Sequence, residues 1–250
     1  MGKAAVESRR LIRREESPLQ YTLHRRRRRT IAVQITRDGE IRVLAPRRLP
    51  IQAVELFLRQ KRGWIVRKLE EFAKLPELGP FPLEDGAALP YLGESITLRF
   101  VAGPGSPVLT PSGELEIPIG SKTTLKGVHR KVNDWYRGRC RSVAEAATAR
   151  LSDRAGALGI PAPKEVRCRR MRRRWGSCMP TGTILLNSEL LGAPPDCFDY
   201  VVAHELCHLK EANHSPRFYE LMSRFTPEWK ELRRRLNRES PLGFLEPPAE

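Results

Sequence analysis

The segment His204-Glu205-Leu206-Cys207-His208, with His214 six residues further on, gathers three of the chain's five histidines around one glutamate. Residues four apart stack on one face of a helix, so this spacing places His204 and His208 side by side on a helical surface. His214 can join them only if that helix stops and the chain turns back. The flanking residues carry both instructions. Upstream, Pro194-Pro195-Asp196 predicts a helix start with Asp196 as N-cap, followed by an apolar face of Phe198, Val201, Val202 and Leu206. Downstream, Asn213 tolerates the left-handed backbone that a tight turn needs. Ser215-Pro216 then restarts a helix, with serine as N-cap and proline at the first helical position.

Packing two histidines and a carboxylate along such a helix is costly unless a ligand satisfies them. A metal ion removes the cost. Neutral imidazoles bind Zn²⁺ at roughly 2.0–2.1 Å, and three of them leave one tetrahedral position open, as in catalytic rather than structural zinc sites. The expected metal ligands are therefore His204, His208 and His214, with Zn²⁺ as cofactor. Glu205, beside them, is the expected catalytic residue, a general base for an attacking water. Cys207 lies inside the motif, but its helical angle turns it from the histidine face and it reads as core.

The chain has 250 residues, enough for a substantial core in one large domain or two small ones. Its five cysteines are an odd number without a CxxC pair, which reads as reduced thiols. The apolar stretches are too short to span a bilayer, and the early arginines are mixed with Glu7, Glu15 and Glu16, unlike a transit peptide. No membrane association and a cytoplasmic location are expected. The formal net charge is +16, which favours anionic partners without naming one. Arg25 to Arg29 and the cluster from Arg167 to Arg174 dominate locally.

Periodicity along the chain predicts an α+β protein. Residues 1–18 are unpatterned and read as a flexible tail, as does 239–250. Ile31, Val33 and Ile35 alternate, Asp38-Gly39 offers a turn, and Ile41, Val43 and Ala45 alternate again, predicting a hairpin. Ile51, Val54, Leu58, Ile65 and Leu69 have helical spacing, and Trp64 is expected to pack that helix on the hairpin. A proline-rich stretch from Leu75 to Pro90 reads as a loop. Strands are expected at Tyr91 to Val101 and Leu115 to Ile119, which makes residues 19–120 a β-rich subdomain with one helix. A long helix from Thr123 opens a second region, 121–238. Strands at Val166 to Trp175 and Thr183 to Asn187 precede the histidine helix, and Thr226-Pro227 begins a last helix.

Arg174-Trp175-Gly176-Ser177-Cys178, Ile184, Leu186-Asn187, the HELCH segment and Asn213-His214-Ser215 together resemble the YgjP-like zinc metallopeptidases, relatives of the SprT-type zincins. The early hairpin, Lys61 to Leu69 and Tyr91-Leu92-Gly93 extend the resemblance to about residues 20–237. It implies a zincin-like catalytic region, the same three histidine ligands and the same glutamate base, acting on a peptide or protein substrate. Glu211 stands where the metzincins, which share the histidine spacing, have glycine. The resemblance assigns no role to Trp175, Gly176, Ser177, Cys178 or Asn187. Trp175, Gly176 and Asn187 read as packing and turn residues at a strand end, and Ser177 has no partners for a nucleophile.

Two other functions compete. Arginines 169 to 174 beside a metal could serve hydrolysis of nucleoside triphosphates, although no phosphate-binding loop is visible. The basic surface could also bind nucleic acid and direct proteolysis to proteins on it, although no nucleic-acid motif beyond charge is present. Nothing in the sequence fixes the oligomeric state.

Overall fold

The computed structural model describes residues 7–12, 19–35, 39–73, 83–171 and 174–239. The chain divides into two compact units, Met1–Glu77 and Leu78–Glu250.

In the first unit, strands β1 (Glu7–Ile12), β2 (Leu19–Arg26), β3 (Ala32–Ile35) and β4 (Ile41–Pro46) form one sheet in the order β1-β2-β4-β3. The expected hairpin is β3–β4, antiparallel, with Gly39 in its turn at φ +79°; Asp38 lies outside the described residues. Strand β2 runs parallel to β4. Alternating residues Tyr21, Leu23, Ile41, Val43 and Ala45 are buried against Val54, Leu58 and Ile65 of helix α1 (Ile51–Ala73). Two expectations change here. Residues 7–12, placed in a flexible tail, pair antiparallel with β2 as the edge of the sheet. Trp64 is 39% exposed, because Ile65 takes the inward position and a neighbour on a helix lies about 100° away.

The second unit begins with β5 (Ala88–Tyr91), β6 (Glu94–Ala102), β7 (Val108–Leu109) and β8 (Glu114–Ile119), in sheet order β5-β6-β8-β7. The single strand expected at Tyr91 to Val101 is broken by Leu92-Gly93, which have φ of 50° and 85° and fold β5 back onto β6. That turn is anchored, since the Leu92 N–H donates to the Leu191 carbonyl at 2.7 Å. Helix α2 (Leu125–Ala157) starts at Thr124, whose side chain accepts the Gly127 N–H. Its buried stripe of Val128, Val132, Tyr136, Cys140, Ala144, Ala147 and Leu151 advances by three or four residues, as one helical face requires. The Tyr136 hydroxyl, otherwise costly to bury, donates to the Pro90 carbonyl at 2.7 Å.

Leu89, Leu98, Leu115 and Ile117 share one core with α2, Ile184, Leu186 and the histidine helix. The sheet of residues 88–119 therefore belongs to the unit carrying the histidines, and the division expected after residue 120 falls instead between Glu77 and Leu78. The apolar faces of this sheet and of α2 are buried against each other, an association the order of elements along the chain does not reveal.

A third sheet contains β9 (Glu165–Arg169), β10 (Gly176–Cys178) and β11 (Thr183–Asn187) in the order β10-β11-β9, with β9 parallel and β10 antiparallel to β11. The strand expected across Val166 to Trp175 stops at Arg169. A 3₁₀ turn at Ser188–Gly192 leads to α3 (Pro195–Cys207), α4 (Pro216–Phe225) and α5 (Trp229–Glu239). The whole is an α+β fold. Among the described residues no helix is long and apolar enough to cross a membrane.

Candidate metal centre

Helix α3 is buried on most of its circumference, from Cys197 and Phe198 through Tyr200–Ala203 to Glu205, Leu206 and Cys207. Its N-cap is Pro194, with Pro195 at the first helical position, rather than Asp196. Proline pre-sets the helical φ and removes an N–H that would otherwise need a partner. Asp196 stays in the first turn, where the helix dipole favours a carboxylate, and pairs with Arg235 of α5.

The helix ends at His208, and the corner that follows is closed by short backbone bonds from Leu209, Lys210 and Glu211 to Leu206 and Cys207. Left-handed backbone at Asn213 is not used, because Leu92 is the only described non-glycine residue with positive φ. Lys210 ties the corner to the end of α2 by donating to the Leu158 carbonyl at 2.7 Å. Ser215 caps α4 as expected, its hydroxyl accepting the Phe218 N–H at 3.3 Å. Cys207 is fully buried against the Met222 sulfur, in agreement with its reading as core.

These elements bring His204, His208 and His214 together. The Nε2 atom of His214 lies 3.0 Å from that of His204 and 3.2 Å from that of His208. Phe218, fully buried, backs all three rings at 4.5–5.0 Å between centroids. His208 Nδ1 is 3.0 Å from the Glu211 carbonyl, which can only accept. The proton of that ring therefore sits on Nδ1, and the Nε2 lone pair faces the other two histidines. Burial pushes the His204 imidazole down to about 3, with further lowering from His208, His214 and Arg233. Burial also lowers His214, as do His208 and Arg233.

One Nε2–H among them could satisfy a single pair, whereas a cation at the centre would satisfy the lone pairs of all three rings at once. Ligand nitrogens around a tetrahedral zinc with bonds of 2.0–2.1 Å are roughly 3.3 Å apart, close to the separations found here. His204, His208 and His214 could therefore hold a metal ion.

Glu205 points to the same region from within the fold. It is 4% exposed, and burial raises its carboxyl to about 8 against the opposing effects of Arg174 and a hydrogen bond from the Cys178 backbone. Its Oε2 atom is buried without a hydrogen-bond partner. Gly176 lies directly against it: a Cβ there would stand 2.5 Å from Glu205 Oε1 and 2.8 Å from Cδ. Glycine at this position lets β10 run across the carboxylate.

Asn187, fully buried at the end of β11, holds that wall in place. Its Nδ2 donates to the carbonyls of Met171 at 2.7 Å and Arg174 at 3.0 Å, while Oδ1 accepts the N–H groups of Met171 at 3.1 Å and Glu189 at 3.2 Å. Its own N–H donates to the Trp175 carbonyl at 2.8 Å. These bonds engage Met171, Arg174 and Trp175 with Asn187 instead of with a neighbouring strand, so the expected strand does not continue past Arg169. Beside them, Arg170 pairs with buried Glu189 at 3.2 Å.

A cleft of about 800 Å³ opens over the histidines. Residues 174–180 form one side, and Tyr219, Trp229 and Arg233 contribute from α4 and α5. Of the described arginines between residues 167 and 174, Arg174 alone lines it. Arg167 pairs with Glu165, Arg170 is engaged as described, Arg172 and Arg173 lie outside the described residues, and Arg174 reaches the cleft. Phe218 and Arg233 had no sequence signal of a site role; Gly176 had one, a glycine beside the end of a strand.

Three imidazoles, an inward carboxylate and an open cleft in an α+β frame belong to the metallopeptidase class. A family model described as "YgjP-like, metallopeptidase domain" matches residues 29–239, and the chain belongs to that family. Among solved structures it is similar to the metallopeptidase zymogen abylysin of Pyrococcus abyssi, with 28% identity over 37% of this chain and 90% of that one, at a TM-score of 0.34. A search of curated proteins finds no match.

Proposed function

We propose that this metallopeptidase is a zinc enzyme in which His204, His208 and His214 hold the metal and Glu205 is the general base. The observation that carries the reading is the Glu205 Oε2 atom, buried without a partner on the helix that presents the histidines. A desolvated carboxylate oxygen is costly unless a water or substrate proton completes it. Bound there, zinc would polarise the scissile carbonyl and acidify a neighbouring water.

The chain's own groups supply the rest. Strand β10 is a sheet edge along the cleft, so an extended peptide can add beside it as a further strand. Glu205 takes a proton from the attacking water and returns it to the leaving amine. The Cys178 N–H and Gly176 keep the carboxylate aimed, and Phe218 keeps the rings dry from behind.

Glu205→Gln removes the base and leaves the ligands. Peptide hydrolysis should fall by about 10²–10⁴-fold while zinc remains stoichiometric by elemental analysis. Undiminished turnover would remove Glu205 from the chemistry, and loss of zinc in that variant would contradict the division of roles.

A further inference from the structure

Helix α5 carries three consecutive arginines with different surroundings. Arg234 pairs with Glu231, and Arg235 pairs with Asp196 and Glu239. Arg233 lies one turn beyond Trp229, on the face that lines the cleft, and among the described residues it forms no ion pair. On the β10 side of the cleft, Arg174 is also exposed and, among the described residues, without an ion pair; its described side-chain bond is a long one, 3.4 Å, to the Ser177 hydroxyl. Among the described residues the one carboxylate lining the cleft is Glu205, which is buried. Both guanidiniums line the cleft that holds the reacting centre, near enough for the charge of Arg174 to act on Glu205 and that of Arg233 on His204 and His214.

Elsewhere on α5 arginines are matched with acids, so an unmatched one inside a concavity is a gap in the local charge balance. Concave surfaces focus such a field, and a guanidinium fork fits a carboxylate with two parallel hydrogen bonds. We propose that the cleft selects peptides with an acidic side chain beside the bond cleaved, and that Arg233 and Arg174 are the residues that receive the carboxylate. The inference rests on the peptidase reading and adds a substrate class to it. An acidic residue on the substrate supplies the missing charge without displacing any contact within the protein.

The test uses the zinc-loaded full chain and peptides acetylated at one end and amidated at the other, so that the side chain is the one source of charge. Peptides differing only in Glu, Gln or Lys beside the scissile bond are compared by kcat/KM. Glu should exceed Gln by about tenfold, the size of one charge-assisted contact, and exceed Lys by more. The Glu preference should shrink in Arg233→Gln and in Arg174→Gln, vanish when both are changed, and turn toward Lys in Arg233→Glu. Binding is read separately, by fluorescence anisotropy of a labelled acidic peptide on Glu205→Gln.

Equal cleavage of the Glu and Gln peptides, or a preference that survives Arg233→Gln and Arg174→Gln, overturns the proposal and leaves the peptidase reading intact. Selective binding of the acidic peptide with no cleavage by the unaltered chain supports acidic recognition while removing the peptidase reading. Binding of a nucleoside triphosphate with none of the acidic peptide overturns the proposal.

Discussion

Gly176→Ala tests the construction of the site without touching a ligand, a base or a charge. The added Cβ would stand 2.5 Å from Glu205 Oε1 and 2.7 Å from Cγ, about 0.9 Å short of the 3.4 Å at which ordinary contact begins. The strand has little room to yield, because Gly176 pairs with Leu186 and the preceding carbonyl is held by the Asn187 N–H. The carboxylate, with one oxygen unpartnered, is the softer side and should swing away by a comparable distance. Overpacking of this kind costs about 1–3 kcal/mol, within the margin of a typical domain, so the protein should still fold. A misplacement of about 1 Å in a catalytic group lowers the rate on the order of 10²-fold. The assay is kcat on a fluorogenic peptide, with zinc content and a thermal melt measured on the same preparation. Gly138→Ala, in α2 where a Cβ meets nothing within 4 Å, is the control and should be fully active. Full activity of Gly176→Ala with zinc bound would refute the claim that β10 positions Glu205.

Two further outcomes follow from the same geometry. Zinc bound at 100 to 1,000 times its dissociation constant adds about 2.7–4.1 kcal/mol, so chelation should lower the Tm of the histidine-bearing unit by roughly 5–15 °C. A melt unchanged by chelator and by added zinc would argue against a metal at the three histidines. Thiol labelling at neutral pH should spare Cys140, Cys197 and Cys207, which are buried; the Cys140 thiol is raised by its hydrogen bond with Cys168 and by burial, and burial pushes Cys197 up to about 11 and Cys207 to about 12. Cys178 is half-buried in the cleft and raised by burial and by the Glu205 charge, so it should label slowly and be shielded by a bound peptide inhibitor. Peptide mapping by mass spectrometry reads both, and labelling of Cys178 at one rate with and without inhibitor would contradict its place in the cleft.

Local rules made the histidine cluster legible. Four-residue spacing on a helix puts His204 and His208 together, and Ser215-Pro216 marks the new helix that makes a corner of His214. The hairpin at β3–β4 and the helices α1 and α2 were readable for the same reason, as each repeats its pattern over several turns or pleats. What was not legible depends on partners distant in sequence. The sheet of residues 88–119 joins the histidine unit through a shared core, and no local pattern says which helix an apolar strand face will meet. The end of β9 at Arg169 reflects the hold of Asn187, some fifteen residues away, on Met171 and Arg174. Arg233 is indistinguishable from Arg234 and Arg235 as letters, and differs only in which neighbours carry acids.

The Asn187 side chain has one further consequence. All of its hydrogen-bonding capacity is spent, and the residue is fully buried with its backbone carbonyl against the Cys140 thiol of α2. The outer lip of the cleft is thus fastened from beneath, with no hinge between Arg174 and Gly176 free to swing. Its clearance is set once, when the core folds, and works as a fixed gauge to which an incoming chain must conform.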